Sequence, residues 1–383
     1  MTRGVLVHEW LAQHGGSENV FDVMVDAFPD ADLLCLWSDL VDRYPGRDLQ
    51  ETWLGRTPLR RHKALAMAPM VPTWRRRHGT YDWALVSSHL FAHHVSFAHQ
   101  AADFRKLVYV HSPARYLWVP GLDTRGNGIA SRTAAPPLRW IDRRRAAEPV
   151  AVAANSAFVC DRVAAAWDRE ATVIHPPVDV ASVRATLDGA EQLTTAERSV
   201  VAALPTEFVL GASRLVPYKR LDLTIRTGQE LGMPVVVAGG GPDLPRLQAV
   251  AAQVDVPVTF VDTPSTALLH TLYQRSTVYV FPPIEDFGIM PVEALAAGTP
   301  VVVGPRGGAR EIVDGTTVGR AADSDRPQDL ARAARIVMDA PPDACAARAA
   351  AFGPDRFVAE LSAWMSANGI EVDANRGGDG VPT

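Results

Sequence analysis

What most constrains this chain is a rhythm: short apolar, β-branched runs recur with helical patterns between them. That alternation is the signature of parallel α/β sheets, whose strands are buried on both faces and joined through crossover helices. In the first half, strands are expected at Val5 to His8, Leu33 to Trp37, Trp83 to Ser87, Lys106 to His111 and Val150 to Ala154. The second half repeats the pattern at Phe208 to Ser213, Pro234 to Ala238, Val258 to Val261, Thr277 to Phe281 and Pro300 to Val303. Between the two sets, residues 175–207 open with Pro176-Pro177 and carry no strand pattern. A chain of 383 residues also exceeds what one core usually supports. The expected architecture is therefore two Rossmann-like domains facing across a cleft, over residues 1–175 and 176–353. Residues 369–383 read as a disordered, glycine-rich tail. Ligands of such sheets bind at the C-terminal ends of the strands, so the loops after the strands are where chemistry is sought.

One of those loops carries two glutamates eight positions apart, in "FPPIEDFGIMPVEALAAGTPVVVG", residues 281–304. Pro291 suits the first position of a helix, which would place Glu293 in the first turn and let Gly298 close the helix in a left-handed cap. Glu285 then sits on the loop, and the free amides of Gly288, Ile289 and Met290 face an anion at the helix start. An anion between two carboxylates suggests a phosphate bearing hydroxylated groups, although solvated loop and capping glutamates would read the same way. "GASRLVPYKRLDLTI" sets Arg214 and Lys219 five residues apart after another strand, where they can neutralise a diphosphate or simply be solvated. Gly15-Gly16 after the first strand lets backbone approach a phosphate or sugar, or makes a plain tight turn. His111 ends a third strand, but spacing alone does not select it among the 11 histidines.

Composition narrows the classes. A net charge of −5 with 21% charged residues argues against a general nucleic-acid binder. Three dispersed cysteines without metal-ligand spacing fit a reduced cytoplasmic compartment. No signal segment opens the sequence and no 18-residue apolar run occurs, so a soluble cytoplasmic protein is expected. Residues 59–78 interleave Arg60, Arg61, Lys63, Arg75, Arg76 and Arg77 with Leu65, Met67, Met70, Val71 and Trp74. That mixture fits peripheral contact with the inner face of an anionic membrane, or a lipid-linked acceptor, as well as it fits a solvated helix face. Asp30-Ala31-Asp32 and Asp323-Ser324-Asp325 match a metal-binding D-x-D pattern, yet both read better as loop acids, and no essential metal is expected.

Taken together, the E-x7-E segment, "EALAAGTPVV", "GGAREIVDG", "GASRLVPYKRLD", "VVAGGGPDLPRL", "NSAFVCDRV" and "VIHPPVD" resemble family 4 retaining glycosyltransferases of the GT-B fold. "VYVHSPARYLW" is similar to the branch containing bacterial mannosyltransferases of polysaccharide and glycolipid assembly. The resemblance runs from about residue 4 to residue 367 and is strongest over 208–315. It implies a helix over 354–368 that packs back on the first domain. It also implies roles: Glu285 for donor-sugar hydroxyls, Glu293 for the ribose, and Arg214 and Lys219 for the diphosphate. Gly288, Ile289, Met290, Gly15 and Gly16 would contribute backbone contacts, and His111 would meet the sugar near its 6-hydroxyl. The reaction implied is transfer of a hexose from a nucleotide diphosphate sugar to an acceptor hydroxyl with retention. GDP-mannose is favoured and a UDP-hexose comes next, the base being read near Val261, Asp262 and Thr263. Rival readings are a nucleotide-sugar epimerase, a sugar phosphorylase, a non-catalytic nucleotide-sugar-binding subunit and, lacking G-x-G-x-x-G, a nicotinamide oxidoreductase.

Overall fold

The computed structural model describes residues 3–13, 15–119, 129–189 and 193–372. The chain divides into two compact units, Met1–Pro177 with Pro354–Thr383, and Val178–Gly353. Each is built on one parallel sheet.

In the first unit the strands are β1 (Gly4–His8), β2 (Asp32–Cys35), β3 (Leu49–Glu51), β4 (Trp83–Ser88), β5 (Arg105–Val110), β6 (Ala151–Ala154) and β7 (Thr172–Val173). Their spatial order is β3-β2-β1-β4-β5-β6-β7. β1 alternates between two cores: Val5 and Val7 face one with Trp74 and Val86, while Leu6 faces the other with Phe21 and Leu85. Burial on both faces is what makes these strands read as continuous apolar runs. The helix Pro354–Ala367 joins the second core through Phe357, Leu361 and Met365, and the ring of Phe357 stands edge-on to Tyr109 at 5.6 Å. Its Arg356 donates to the carbonyl of His175 at 2.7 Å.

The second unit holds β8 (Val209–Ala212), β9 (Val235–Ala238), β10 (Val258–Val261), β11 (Val278–Phe281), β12 (Val301–Val303) and β13 (Gly319–Ala321), in the order β10-β9-β8-β11-β12-β13. Val209, Val237 and Val280 pack on one face, and Leu210, Val236 and Tyr279 on the other.

Three strands have no counterpart in the expected pattern: β3, β7 and β13. Each lies at the edge of its sheet, where one neighbour suffices and no apolar run is required. The helix after β11 spans Ile289–Ala296, starting two residues before Pro291, so Glu293 falls in the second turn rather than the first. A proline at the third position is tolerated because the opening amides of a helix have no partner within it. The expected tail also begins too early: Ile370 is only 4% exposed and packs in the second core of the first unit. The remainder of that tail, residues 373–383, lies outside the described residues. Among the described residues, no helix is long and apolar enough to cross a membrane.

Candidate functional site

In the second unit, β8 leads outward to β9 and β10, and the chain then returns to place β11 on the other side of β8. The crevice between the ends of β8 and β11 is the topological switch point, the place where such sheets bind ligands. Lys219 follows β8 at the end of the 3-10 turn Pro217–Lys219, and Glu285 follows β11. Their side chains meet there, Nζ to Oε1 at 2.7 Å and largely shielded from solvent. Sequence spacing gave no hint that the two would pair. The Lys219 ammonium also stands 5.8 Å from the centre of the Phe281 ring. Arg214, on the same loop, is exposed and donates to the Tyr218 hydroxyl at 2.9 Å.

Glycines hold these loops close. The Leu215 amide donates to the Gly240 carbonyl and the Asp243 amide to that of Leu215, at 2.9 and 3.0 Å. Gly241 has φ +153, and a Cβ there would lie 2.4 Å from the Leu215 oxygen. On the other side, Gly308 donates its amide to the Glu285 carbonyl at 2.8 Å. The positive φ of Gly288, +127, turns the chain into the helix Ile289–Ala296, whose first amides at Ile289 and Met290 are free for an anion. Glu293 accepts from the Tyr273 hydroxyl at 3.4 Å, and burial pushes its carboxyl up, the tyrosine bond opposing. Thr263, beyond β10, takes φ +40 and donates to Asp262 at 2.9 Å.

In the first unit the switch point lies between β1 and β4. Glu9, just after β1, is fully buried and accepts from the amides of His89, Leu90 and Ala92 at 3.1, 2.9 and 2.5 Å. Burial raises its carboxyl to about 7, those amides opposing. Ser87 lies between two imidazoles, 3.0 Å from His8 Nδ1 and 2.8 Å from His111 Nε2. Burial holds both rings neutral, His111 down at about 3. Gly15 precedes the helix Gly16–Ala27, and a Cβ on Gly15 would lie 2.1 Å from Glu18 Oε2. That carboxylate also accepts from the Ala12 amide at 3.2 Å and the Ser17 hydroxyl at 2.7 Å.

Of the D-x-D acids, Asp32 pairs with Arg3 at 2.8 Å and accepts from Tyr81, while Asp325 pairs with Arg220 at 2.8 Å. His93, His94 and Asp142 offer ligand atoms close enough for a metal ion. Asp142, however, already has three hydrogen-bond partners, His94 Nε2 at 3.0 Å and the indoles of Trp118 and Trp167 at 2.7 and 2.8 Å, with the His93 ring 3.2 Å away. That environment satisfies a buried carboxylate without an ion. In the basic stretch, Met70 and Trp74 are core residues and Arg75 is tied to Glu148 at 2.9 Å, which leaves Arg60, Arg61, Lys63, Leu65 and Arg76 exposed.

The fold and the glycine-held loops define two Rossmann-like domains of the GT-B class. Residues 195–352, within the second unit, match the family described as glycosyl transferases group 1. The chain thus resembles GT-B glycosyltransferases, bacterial mannosyltransferases among them. A GDP-mannose-dependent alpha-(1-6)-phosphatidylinositol monomannoside mannosyltransferase of Mycobacterium tuberculosis is 30% identical over 213 residues, 49% of this chain and 55% of that protein. A D-inositol 3-phosphate glycosyltransferase of Mycobacterium avium is 32% identical over 207 residues, 50% of this chain and 48% of that protein. The chain spans about half the length of these curated relatives. Among solved structures, Anabaena Alr3699/HepE in complex with UDP-glucose superposes with a TM-score of 0.65 at 17% identity, covering 95% of this chain and 99% of that one.

Proposed function

We propose that this chain is a retaining glycosyltransferase that moves a hexose, mannose from GDP-mannose first and a UDP-hexose second, to an acceptor hydroxyl in polysaccharide or glycolipid assembly. The observation that carries this reading is the Lys219–Glu285 pair at the switch point of a parallel sheet, beside the free amides of a helix start. Glu285 receives donor-sugar hydroxyls while holding the Lys219 ammonium at the strand end. Lys219, Arg214 and the amides of Gly288, Ile289 and Met290 take the diphosphate charge, so no divalent metal is required. Glu293 receives the ribose hydroxyls, and Val261, Asp262 and Thr263 border the base. In the first unit, His111 is assigned to a sugar hydroxyl and Gly15 and Gly16 to backbone contacts.

In the step itself, the bond from the anomeric carbon to the diphosphate oxygen breaks and the nucleoside diphosphate leaves with the electron pair. The acceptor oxygen bonds to the same face of the carbon, and its proton passes to the departing phosphate. The exposed Arg56, Arg60, Arg61 and Lys63, in a stretch that also exposes Trp53 and Leu65, support peripheral docking on an anionic bilayer. The same surface suits a lipid-linked acceptor.

The test is a thermal-shift panel of GDP, UDP, ADP, dTDP and their sugars, with and without EDTA. Donor at about 100 times its Kd stabilises by about 2.7 kcal/mol. A shift with GDP and GDP-mannose that ignores EDTA supports the reading. Loss of that shift with EDTA overturns the metal-free mechanism, and no shift with any nucleotide overturns the donor site. Proton NMR of the product's anomeric centre then decides retention. Co-sedimentation with anionic but not zwitterionic vesicles tests the membrane contact.

A further inference from the structure

Ser87 Oγ lies between His8 Nδ1, at 3.0 Å, and His111 Nε2, at 2.8 Å, and all three groups sit at the ends of neighbouring strands. A hydroxyl has one proton to give and can accept from two sides, so the protons can be arranged in three ways. If Ser87 donates to His8 and His111 donates to Ser87, the neutral His8 ring carries its proton on Nε2. That atom is buried without a partner, so a donor would be orphaned there. If both rings donate to Ser87, the serine proton is orphaned instead, in a side chain with no exposure. The third arrangement runs from His8 Nδ1–H to Ser87 and from the Ser87 hydroxyl to His111 Nε2. It leaves no buried donor orphaned, since His8 Nε2 keeps only a lone pair and the His111 proton moves to Nδ1 of a half-buried residue, and orphaned buried donors are the rarer defect.

We propose that His8, acting through Ser87, is a positioning residue that fixes His111 as the neutral Nδ1–H tautomer, a hydrogen-bond donor at the end of β5. His8 is locked for this task, stacked on Phe21 at 4.9 Å between ring centres. The backbone of His111 is fixed as well, its amide donating to Ser88 at 2.9 Å and its carbonyl accepting from Asn155 at 3.1 Å. A donor at Nδ1 suits a ligand oxygen that accepts, such as a sugar hydroxyl, and gives the site a preference for hydroxyls over cations. This role for His111 rests on the glycosyltransferase reading, whereas the proton order does not.

The experiment is a long-range proton–nitrogen correlation spectrum of the full chain labelled with 15N-histidine, with His111 assigned by the signals lost in His111→Gln. The expected result is a protonated Nδ1 and an unprotonated Nε2 on both His8 and His111, with the His111 pattern lost or mixed in Ser87→Ala. A proton on Nε2 of His111 in the wild type overturns the proposal, as does a His111 pattern unchanged in Ser87→Ala. His8→Leu should lower kcat/KM for the glycosyl donor about tenfold, the effect of one aligned hydrogen bond, and His8→Asn, whose amide can replace Nδ1–H, should restore most of it. The wild-type spectrum decides even if His8→Leu fails to fold. A wild type that turns over no nucleotide sugar but shows the expected tautomers removes the glycosyltransferase reading and leaves the proton order standing. Robust transfer with the opposite tautomer removes the proton order alone.

Discussion

Lys219 shows how chemistry and geometry divide the work at the scale of a residue. Its identity and its place after a strand were readable from the sequence, because cations after β-strands of a parallel sheet mark anion sites. Its partner was not. Pairing Lys219 with Glu285 requires β11 to lie beside β8, a non-local fact of strand order that no spacing encodes. The same holds for His111, singled out among many histidines only through resemblance, while His8 and Ser87 were legible as the last residues of two expected strands but not as its partners. If Lys219 stabilises the charge growing on the leaving diphosphate, Lys219→Ala should cut turnover roughly 100- to 1000-fold, as removal of one oxyanion donor does. Single-turnover kinetics with saturating donor measures this directly, and a near wild-type rate would remove Lys219 from the transition state.

Among the elements, the strands buried on both faces were legible, whereas of the four edge strands only β10 was. β1, β4, β8 and β11 are walled on both faces and must be apolar throughout, so their sequences announce them. β3, β7 and β13 are held by one neighbour each and announce nothing. Helix starts were blurred for a related reason. Pro291 fits any of the first helical positions, and only the positive φ of Gly288 fixes the true start. Gly288→Ala places a Cβ 3.1 Å from that of Ala309 and forces a left-handed conformation, so it should cost about 1 kcal/mol or more in chemical denaturation and weaken donor binding through the misplaced Ile289 and Met290 amides. The chain end offers a paired comparison. Truncation after Val372 should leave stability unchanged, whereas truncation after Asn368 removes buried Ile370 and should lose about 2 kcal/mol. Equal stability of the two truncated chains would show that Ile370 contributes nothing.

Across the whole molecule, buried titratable groups are distributed unequally between the units, and acid should find the difference. His8, His89, His94 and His111 all lie in the first unit and are held neutral chiefly by burial, with His89 and His111 down at about 3 and His94 at about 4. An unfolded histidine binds a proton below about pH 6.5. Between there and pH 4 the unfolded chain therefore binds more protons than the folded one, and each ring lowers stability by about 1.4 kcal/mol per pH unit as pH falls. Glu9 acts in the opposite sense, since its carboxyl, raised to about 7, keeps a proton that the unfolded chain has lost between its ordinary 4.5 and that value. It offsets one of the four rings, leaving a net loss of about 4 kcal/mol per pH unit against a total stability of about 5–15 kcal/mol. In the second unit, burial lowers His270 and raises Glu293, and these two oppose each other. The first unit should therefore loosen between pH 6 and 4.5 while the second keeps its structure. All 9 tryptophans fall outside residues 178–353, so tryptophan fluorescence reports the first unit alone. On acid titration the fluorescence transition should precede the loss of a large part of the far-ultraviolet circular dichroism. Coincident transitions would mean that the two units unfold as one cooperative body and that the buried histidines do not set where acid acts first.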